Sequence, residues 1–392
     1  MKLRHLLLLL ILLPAGIFIA QQRQNKSLTS QSDTALWEKI DSLINIAMPK
    51  QSQPYIDELK KRARKSKNTA ESVKLLIYEM KINERRTEEA LKVFIEQLEK
   101  ETLTAWEPLQ QITHSMLGEM YQEYYEQNRY ALLEEYDENA ETPKGWSHAE
   151  IIEKIIHHYR ASIQNSNLLQ SSNIGEFAPI LTKGNQPETL RPTLYDFLAQ
   201  RAIDAMQNSE YDIIRPMQEF VPEDADLWLP ANTFVNLTLE PSTDTLNPQR
   251  EALKLMQELL KFRLADTKNR TALFDAERNR INMLHSIYLG KDGDSLYWHA
   301  ISQLLTLNPD NSTKALLLTD QASFLVDSDQ DLFAGEGKQH PANEALKIVE
   351  SCLKEHPKSA AACLAHNLKQ RILHKELNIL GATSGDTGSA AI

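Results

Sequence analysis

The chain has 392 residues, of which 42% are hydrophobic, and its formal net charge is −11 at pH 7. This hydrophobic fraction suffices to bury apolar cores, which excludes a wholly disordered chain, and the length allows roughly two or three domains. The acidic balance excludes nucleic acid as the expected partner, because phosphate binding rests on basic surface. One basic run, Lys60 to Lys65, closes a predicted helix. Because the helix dipole favours cations there, we interpret the run as a solvated helix end.

Residues 1–20 have the features of a secretory signal peptide. A charged start is followed by an apolar run, Leu6 to Leu13, and then by Pro14. The run is too short to span a bilayer comfortably, so we expect cleavage and no membrane span after signal removal. Residues 21–33 form a polar linker. The sequence therefore predicts an exported protein of the periplasm or the cell surface.

Helical periodicity dominates residues 34–210, where apolar side chains recur at three- and four-residue steps. In the predicted helix that begins near Thr87, Glu88 and Glu89 sit in the first turn, which the helix dipole favours. This pattern predicts an N-terminal helical domain. Its helices are expected to begin near Thr34, Pro54, Thr69, Thr87, Pro108 and Ser147.

Residues 176–208 combine a rigid irregular stretch with a well-marked helix. The first part contains three prolines and Gly184, which forbid a continuous helix. Thr193 can then cap a helix. We interpret the segment as a packing device because its apolar residues share one helical face: Leu194, Phe197, Leu198, Ala202, Ile203 and Met206.

Residues 211–247 are punctuated by proline and predict an irregular connector at a domain boundary. Within them, Phe234 to Leu239 alternates like a short strand. Residues 248–379 return to helical hairpins, and superposing Pro309 on Pro357 aligns two similar units. The spacing of small residues and turn prolines is similar to that of tetratricopeptide repeats, without their strict consensus. Residues 380–392 are small and polar, and predict a disordered tail.

The overall expectation is an all-α fold, with a solenoid of TPR-like repeats in the C-terminal half. No catalytic, cofactor-binding or metal-binding residues are predicted. The adjacent His157 and His158 project in different directions, and no His-Glu-x-x-His pair occurs. A calcium-loop pattern starting at Asp327 fails at Leu332, where the turn glycine is needed. Neither a Gly-x-Ser-x-Gly motif nor a phosphate-binding glycine loop is present, so the chain is not expected to be an enzyme.

Cys352 and Cys363 lie on either side of the predicted turn at Pro357. In an antiparallel hairpin these positions can face each other, and an exported compartment permits a disulfide. The alternative interpretation is that both are small buried apolar residues. The sequence leaves both interpretations open.

The motif that carries most information lies at the start of the capped helix. Together with residues 36–41 and 125–129, it resembles the amino-terminal helical region of large bacterial alpha-2-macroglobulin family proteins, over roughly Ala35 to Ile379. The motif residues are Leu190, Arg191, Pro192, Thr193, Tyr195, Asp196 and Phe197.

The resemblance implies an exported protein with chains of β-sandwich domains, many members of which trap proteases through a bait segment and a Cys-x-Glu-Gln thioester. Neither Cys352 nor Cys363 lies in such a motif, and no β-sandwich pattern precedes Ile392. We therefore expect a truncated, non-catalytic helical scaffold whose partner is a protein, either a protease or the remaining macroglobulin domains. The alternative is a free-standing periplasmic repeat protein that binds a peptide or a glycan.

Overall fold

The computed structural model describes residues 28–84, 89–130, 147–182, 187–208, 219–241, 247–307, 309–328, 341–359 and 361–383. In these ranges the fold is all-helical and contains no strand, which confirms the predicted class. None of the described helices is both long and apolar enough to cross a bilayer. The proposed signal peptide and most of the polar linker lie outside the described residues.

The chain forms two compact units. Unit 1 comprises residues 1–147 together with Glu176–Leu181, and unit 2 comprises His148–Gly175 and residues 182–392. The division near residue 147 lies earlier in the chain than the boundary expected at 211–247.

Unit 1 consists of helices that pack against their neighbours in sequence, and α3 also packs on α5. The side chain of Ser32 accepts a hydrogen bond from the amide of Ala35 and caps α1. The first three helices bury an apolar core that includes Leu36, Ile40 and Leu59. The bounds of the helices are α1 Asp33–Asn45, α2 Gln53–Ser66, α3 Thr69–Glu84, α4 Ala90–Thr104 and α5 Leu109–Asn128.

Unit 2 contains four short helical segments and eight longer helices in its described part. The short ones are α7 Ser166–Ser171, α9 Ala231–Phe234 and the 3-10 turns Glu188–Leu190 and Ala225–Trp228. A further 3-10 helix, Ile174–Ile180, spans the sequence boundary between the units and agrees with the irregular stretch predicted there. The longer helices are α6 His148–Ala161, α8 Leu194–Met206, α10 Pro248–Ala265, α11 Arg270–Ile287, α12 Gly293–Thr306, α13 Asn311–Asp327, α14 Pro341–Glu355 and α15 Ala361–Thr383.

From α10 to α15, each helix packs against the next, and the contact between α12 and α13 is the least extensive. Helix α13 also packs on α11 and α15. Apolar residues of α13, α14 and α15 form one core, which Leu190 joins. Helices that contact both the next helix and the one after it form stacked hairpins.

The segment expected as an irregular connector is an integral part of unit 2. The strand-like alternation from Phe234 to Leu239 does not form a strand, because α9 ends at Phe234 and two turn residues follow. An isolated strand has no pairing partner, whereas helical turns satisfy their own backbone groups. Phe234 and Leu239 are buried, and Gln257 of α10 donates hydrogen bonds to the carbonyl oxygens of Phe234 and Leu237, both at 2.9 Å.

Two further expectations differ from the structure. Helix α15 continues to Thr383, so residues 380–383 are helical where a disordered tail was predicted; residues 384–392 lie outside the described residues. The basic run of α2 is not simply solvated. Arg62 donates hydrogen bonds to the carbonyl oxygens of Leu28 and Gln31, and pairs with Asp33 and Glu58.

Candidate functional site

Residues 190–197, called the signature segment below, begin helix α8 through a capping box. The amide of Asp196 donates to Oγ1 of Thr193 at 3.3 Å, and the amide of Thr193 donates back to Oδ2 of Asp196 at 2.9 Å. This reciprocal arrangement satisfies two backbone donors at the helix start. The predicted cap at Thr193 is confirmed, and Asp196 supplies the second half of the box.

Asp196 also forms a buried ion pair with Arg263 of α10. Nε of Arg263 donates to Oδ1 of Asp196 at 2.7 Å, and Nη2 of Arg263 donates to Oδ2. Nη2 also reaches Oγ1 of Thr193 at 3.3 Å. Asp196 is 3% exposed and Arg263 is 1% exposed. We call Thr193, Asp196 and Arg263 the buried junction, because they join α8 to α10 away from solvent.

The rest of the signature segment anchors other parts of unit 2. Leu190 enters the core formed by α13–α15. Nε of Arg191 donates to Oδ2 of Asp275 on α11 at 3.1 Å. The carbonyl oxygen of Pro192 accepts from the amide of Ile174 at 3.0 Å. The segment therefore ties α8 to α11, to the α13–α15 core and to the stretch that follows α7.

The two aromatic residues of the signature segment differ in burial. Tyr195 is 2% exposed, and its ring meets Phe262 edge-on at 5.5 Å between centroids. Burial raises the pKa of Tyr195 above its ordinary value. Phe197 is partly buried, and the guanidinium of Arg201 lies 5.7 Å from its ring centroid.

Asp275 is the most unusual acid near the signature segment. It is 1% exposed, and its Oδ1 has no hydrogen-bond partner among the described residues. Burial raises its pKa although Arg191 and Arg278 act in the opposite direction. Its other oxygen, Oδ2, accepts hydrogen bonds from Arg191 and Asn279, which hold the carboxyl group in place. We interpret its position as structural.

A second charged cluster lies in unit 1, at a groove between α2, α3, α4 and the start of α5. Nζ of Lys60 lies 3.0 Å from both Glu79 and Glu101, and Nη2 of Arg64 lies 2.6 Å from Glu101. Burial opposes the charge of Lys60, but Glu79 and Glu101 outweigh it, so the pKa of Lys60 is raised. Burial likewise opposes the charge of Glu101, and Lys60 and Arg64 lower its pKa on balance. We call this the charged groove.

The interior of the charged groove is small. The cavity lined by Trp106 and Thr113 has a volume of about 30 Å³, whereas drug-sized ligands occupy pockets of roughly 300–1,000 Å³. Beside it, a shallow depression of about 420 Å³ runs along α4 past Val93 and Lys100. The arrangement can hold a water molecule inside and present charged groups to a chain lying across the surface.

Both cysteines are free thiols. Cys352 is buried on α14, where its Sγ lies 3.6 Å from the carbonyl oxygen of Ala315 and 3.9 Å from Oγ1 of Thr319. Burial raises the pKa of the Cys352 thiol. Cys363 on α15 is exposed. Cys352 therefore fits the interpretation of a small buried residue, and Cys363 fits neither interpretation.

In the described part of the chain, no three His, Cys, Asp or Glu side chains are grouped so as to hold a metal ion. The rings of His157 and His158 meet edge-on at 5.1 Å between centroids. Of the failed calcium pattern, Asp327 pairs with Arg371 at 2.8 Å, and the residues that follow Ser328 in that pattern lie outside the described residues.

Comparison with known proteins adds no relative: no family model, no curated protein and no solved structure matches the chain. The sequence pattern by itself does not predict which residues contact the signature segment. A usable signal was present for Arg263, which lies three and four residues after Leu260 and Leu259 and so shares the buried face of α10. A charged residue on an apolar stripe indicates a buried ion pair.

Proposed function

We propose that this chain is a non-catalytic helical scaffold, the amino-terminal helical region of an exported protein of the alpha-2-macroglobulin type. The observation that carries the proposal is the inward orientation of the signature segment. Leu190, Tyr195 and Asp196 are buried, and the polar atoms of Thr193 and Asp196 are used in the buried junction. The residues that carry the family resemblance thus hold helices together, as a scaffold requires.

The helical hairpins of unit 2 support the finer proposal of TPR-like repeats in residues 248–379. Superposing Pro309 on Pro357 pairs residues that are buried in both hairpins. Each later hairpin would stack on the one before it, which is how solenoid repeats bury a continuous core. The buried pairs are Ile301 with Val349, Leu304 with Cys352, Thr313 with Ala361 and Leu317 with Ala365.

In this proposal the scaffold docks or spaces the macroglobulin domains of a longer protein, and its partner is a protein. Trapping would be the task of those domains. Cys352 supports the proposal that this chain does not itself trap proteases covalently, because a buried thiol with a raised pKa is a poor nucleophile. Cys363 is exposed, but its sequence context, Cys-Leu-Ala-His, is not that of a thioester.

The proposal is tested with the mature chain, residues 21–392, purified from an exported expression system. We expect the host to remove residues 1–20, and we expect the purified chain to leave the cleavage of a protein substrate by a serine protease unchanged. Gel electrophoresis under denaturing conditions should show no covalent adduct with the protease. A covalent adduct, or retention of the uncleaved chain in the cytoplasm, would contradict the proposal.

The second candidate function is a free-standing repeat protein that binds a peptide. The charged groove of unit 1 favours it, since Arg64 and Lys100 border the adjoining open depression of about 420 Å³, where an extended peptide could lie. The coding sequence downstream of Ile392 separates the candidates. Alternating strand patterns and a Cys-x-Glu-Gln motif there would support the macroglobulin hypothesis. An unrelated gene after a true stop would support the peptide-binding hypothesis.

A further inference from the structure

Unit 2 carries a group of exposed apolar side chains where the segment before α9 meets the end of α11. Leu289 is 70% exposed, Val221 is 40% exposed and Leu229 is 36% exposed. The amide of Leu289 donates to the carbonyl oxygen of Pro222 at 3.0 Å, which holds residues 221 and 289 close together. We call Val221, Leu229 and Leu289 the apolar patch.

The residues beneath the apolar patch, called its floor below, hold one another in place. The ring of Trp228, next to Leu229, meets the ring of Tyr288, next to Leu289, edge-on at 5.6 Å between centroids. Arg280 of α11 donates a hydrogen bond to the carbonyl oxygen of Leu227. The backbone that carries the patch is therefore anchored. Binding a partner there would require little further loss of conformational entropy in this chain.

One polar atom of the floor is left without a partner. Trp228 is 6% exposed, and within the described residues its Nε1 donates no hydrogen bond. A buried donor without an acceptor is rare in folded proteins, so the position of this one beneath the patch calls for an explanation. This observation is independent of the exposure of the three apolar side chains, and it lies at the same place.

Acidic residues surround the patch. Glu223, Asp224 and Asp226 are exposed on the segment that carries Val221 and Leu229. Asp292 and Asp294 are exposed just beyond Leu289, and the one nearby cation in this stretch is Lys291. Burial raises the pKa of Tyr288, the hydrogen bond to Asp292 and the charge of that residue raise it further, and the charges of Asp224 and Glu223 add to the effect. The rim is therefore strongly negative at neutral pH.

We propose that the apolar patch binds a basic, amphipathic segment of a partner protein, one that presents bulky apolar side chains flanked by Lys or Arg. Apolar centres with charged rims are typical of protein interfaces, and opposite charges steer the encounter. A second copy of this chain is disfavoured as the occupant, because two identical acidic rims would face each other. This inference goes beyond the proposed function, since neither candidate function uses this surface.

The test uses a fluorescein-labelled helical peptide of leucine and lysine, with an acidic peptide of leucine and glutamate as its counterpart. Binding to the full mature chain is measured by fluorescence anisotropy. Leu289→Ser removes the most exposed apolar side chain of the patch and should weaken binding of the basic peptide about tenfold, the value of one buried leucine. Leu103→Ser is the matched control, because Leu103 is 82% exposed in unit 1; it should leave the affinity unchanged.

The rim is tested with Glu223→Gln and Asp226→Asn in one variant. Its affinity for the basic peptide should fall, and the difference from the unmodified chain should shrink as salt is raised. Circular dichroism of each variant checks that the fold is retained. Equal binding of the acidic peptide, equal weakening by Leu103→Ser, or no binding of the basic peptide would overturn the proposal. So would a dimer in sedimentation that Leu289→Ser abolishes. The proposed function is tested separately by export and protease assays and would survive these results.

Discussion

Replacing Asp196 by asparagine removes the negative charge from the buried junction and nearly preserves its shape. In Asp196→Asn the guanidinium of Arg263 would stay 1% exposed and keep only Asp266, at 3.0 Å, as a charged partner. The asparagine side chain has one acceptor oxygen where aspartate has two, so it cannot accept the pair of hydrogen bonds that Arg263 donates to Oδ1 and Oδ2. The variant therefore tests whether the signature segment works through a buried charge pair.

The expected cost follows from the burial of both partners. Breaking a buried ion pair from one side costs about 3–5 kcal/mol, because the remaining charge is left uncompensated. A weakened capping box adds roughly 1 kcal/mol. For a unit of this size, each kcal/mol lowers the melting temperature by about 2–4 °C. The total of about 4–6 kcal/mol should therefore lower the melting temperature of unit 2 by roughly 8–24 °C in Asp196→Asn.

Differential scanning calorimetry of the mature chain is the appropriate assay, since two units can unfold in separate transitions. Glu350→Gln serves as the control, because Glu350 pairs with Lys369 at 2.7 Å while its side chain is 52% exposed. That change should cost less than about 1 kcal/mol. If Asp196→Asn were as mild as Glu350→Gln, the reasoning about the buried junction would be refuted.

Three further predictions follow from single groups. Iodoacetamide should modify Cys363 alone in the folded, unreduced chain and Cys352 only after unfolding, as mass spectrometry would show; no modification before reduction would reveal a bridge. Burial raises the pKa of Asp275, so the stability that its protonation provides is present below the unfolded pKa and lost as pH rises through the folded pKa. We therefore expect Asp275→Asn to be stabilised relative to the unmodified chain by more at neutral pH than near pH 5, as measured by urea unfolding. A stability difference between the two proteins that does not change with pH would contradict this. Arg280→Met should destabilise unit 2 by about 3–5 kcal/mol and speed proteolysis within residues 219–241, because Glu277 and the carbonyl oxygen of Leu227 lose their donor; unchanged proteolysis would show that Arg280 does not hold this segment.

The helices themselves could be predicted from the sequence because their signals are local. Apolar spacing marked α2 and α3 to within a residue or two. Thr193 after Pro192 marked the start of α8, and the capping box is formed there. Such signals depend on residues three or four positions apart, which a single sequence displays.

The connector and the buried junction could not be predicted, because they depend on contacts between distant residues. Prolines near residues 219–241 correctly excluded a long helix, but they do not reveal that Arg250 and Gln257 bind backbone carbonyl oxygens there. Asp196 and Arg263 are 67 positions apart, and only the packing of α8 on α10 brings them together. Local patterns cannot encode which of several arginines is chosen.

The most direct test of the scaffold account is amide hydrogen exchange, followed by mass spectrometry of the native mature chain. The account predicts that peptides covering Leu194–Met206 and the facing part of α10 exchange only through the global unfolding of unit 2. Asp196→Asn should accelerate their exchange far more than that of α1 in unit 1. Exchange in Leu194–Met206 as fast as in exposed loop peptides would contradict the claim that the signature segment is the packed centre of a scaffold.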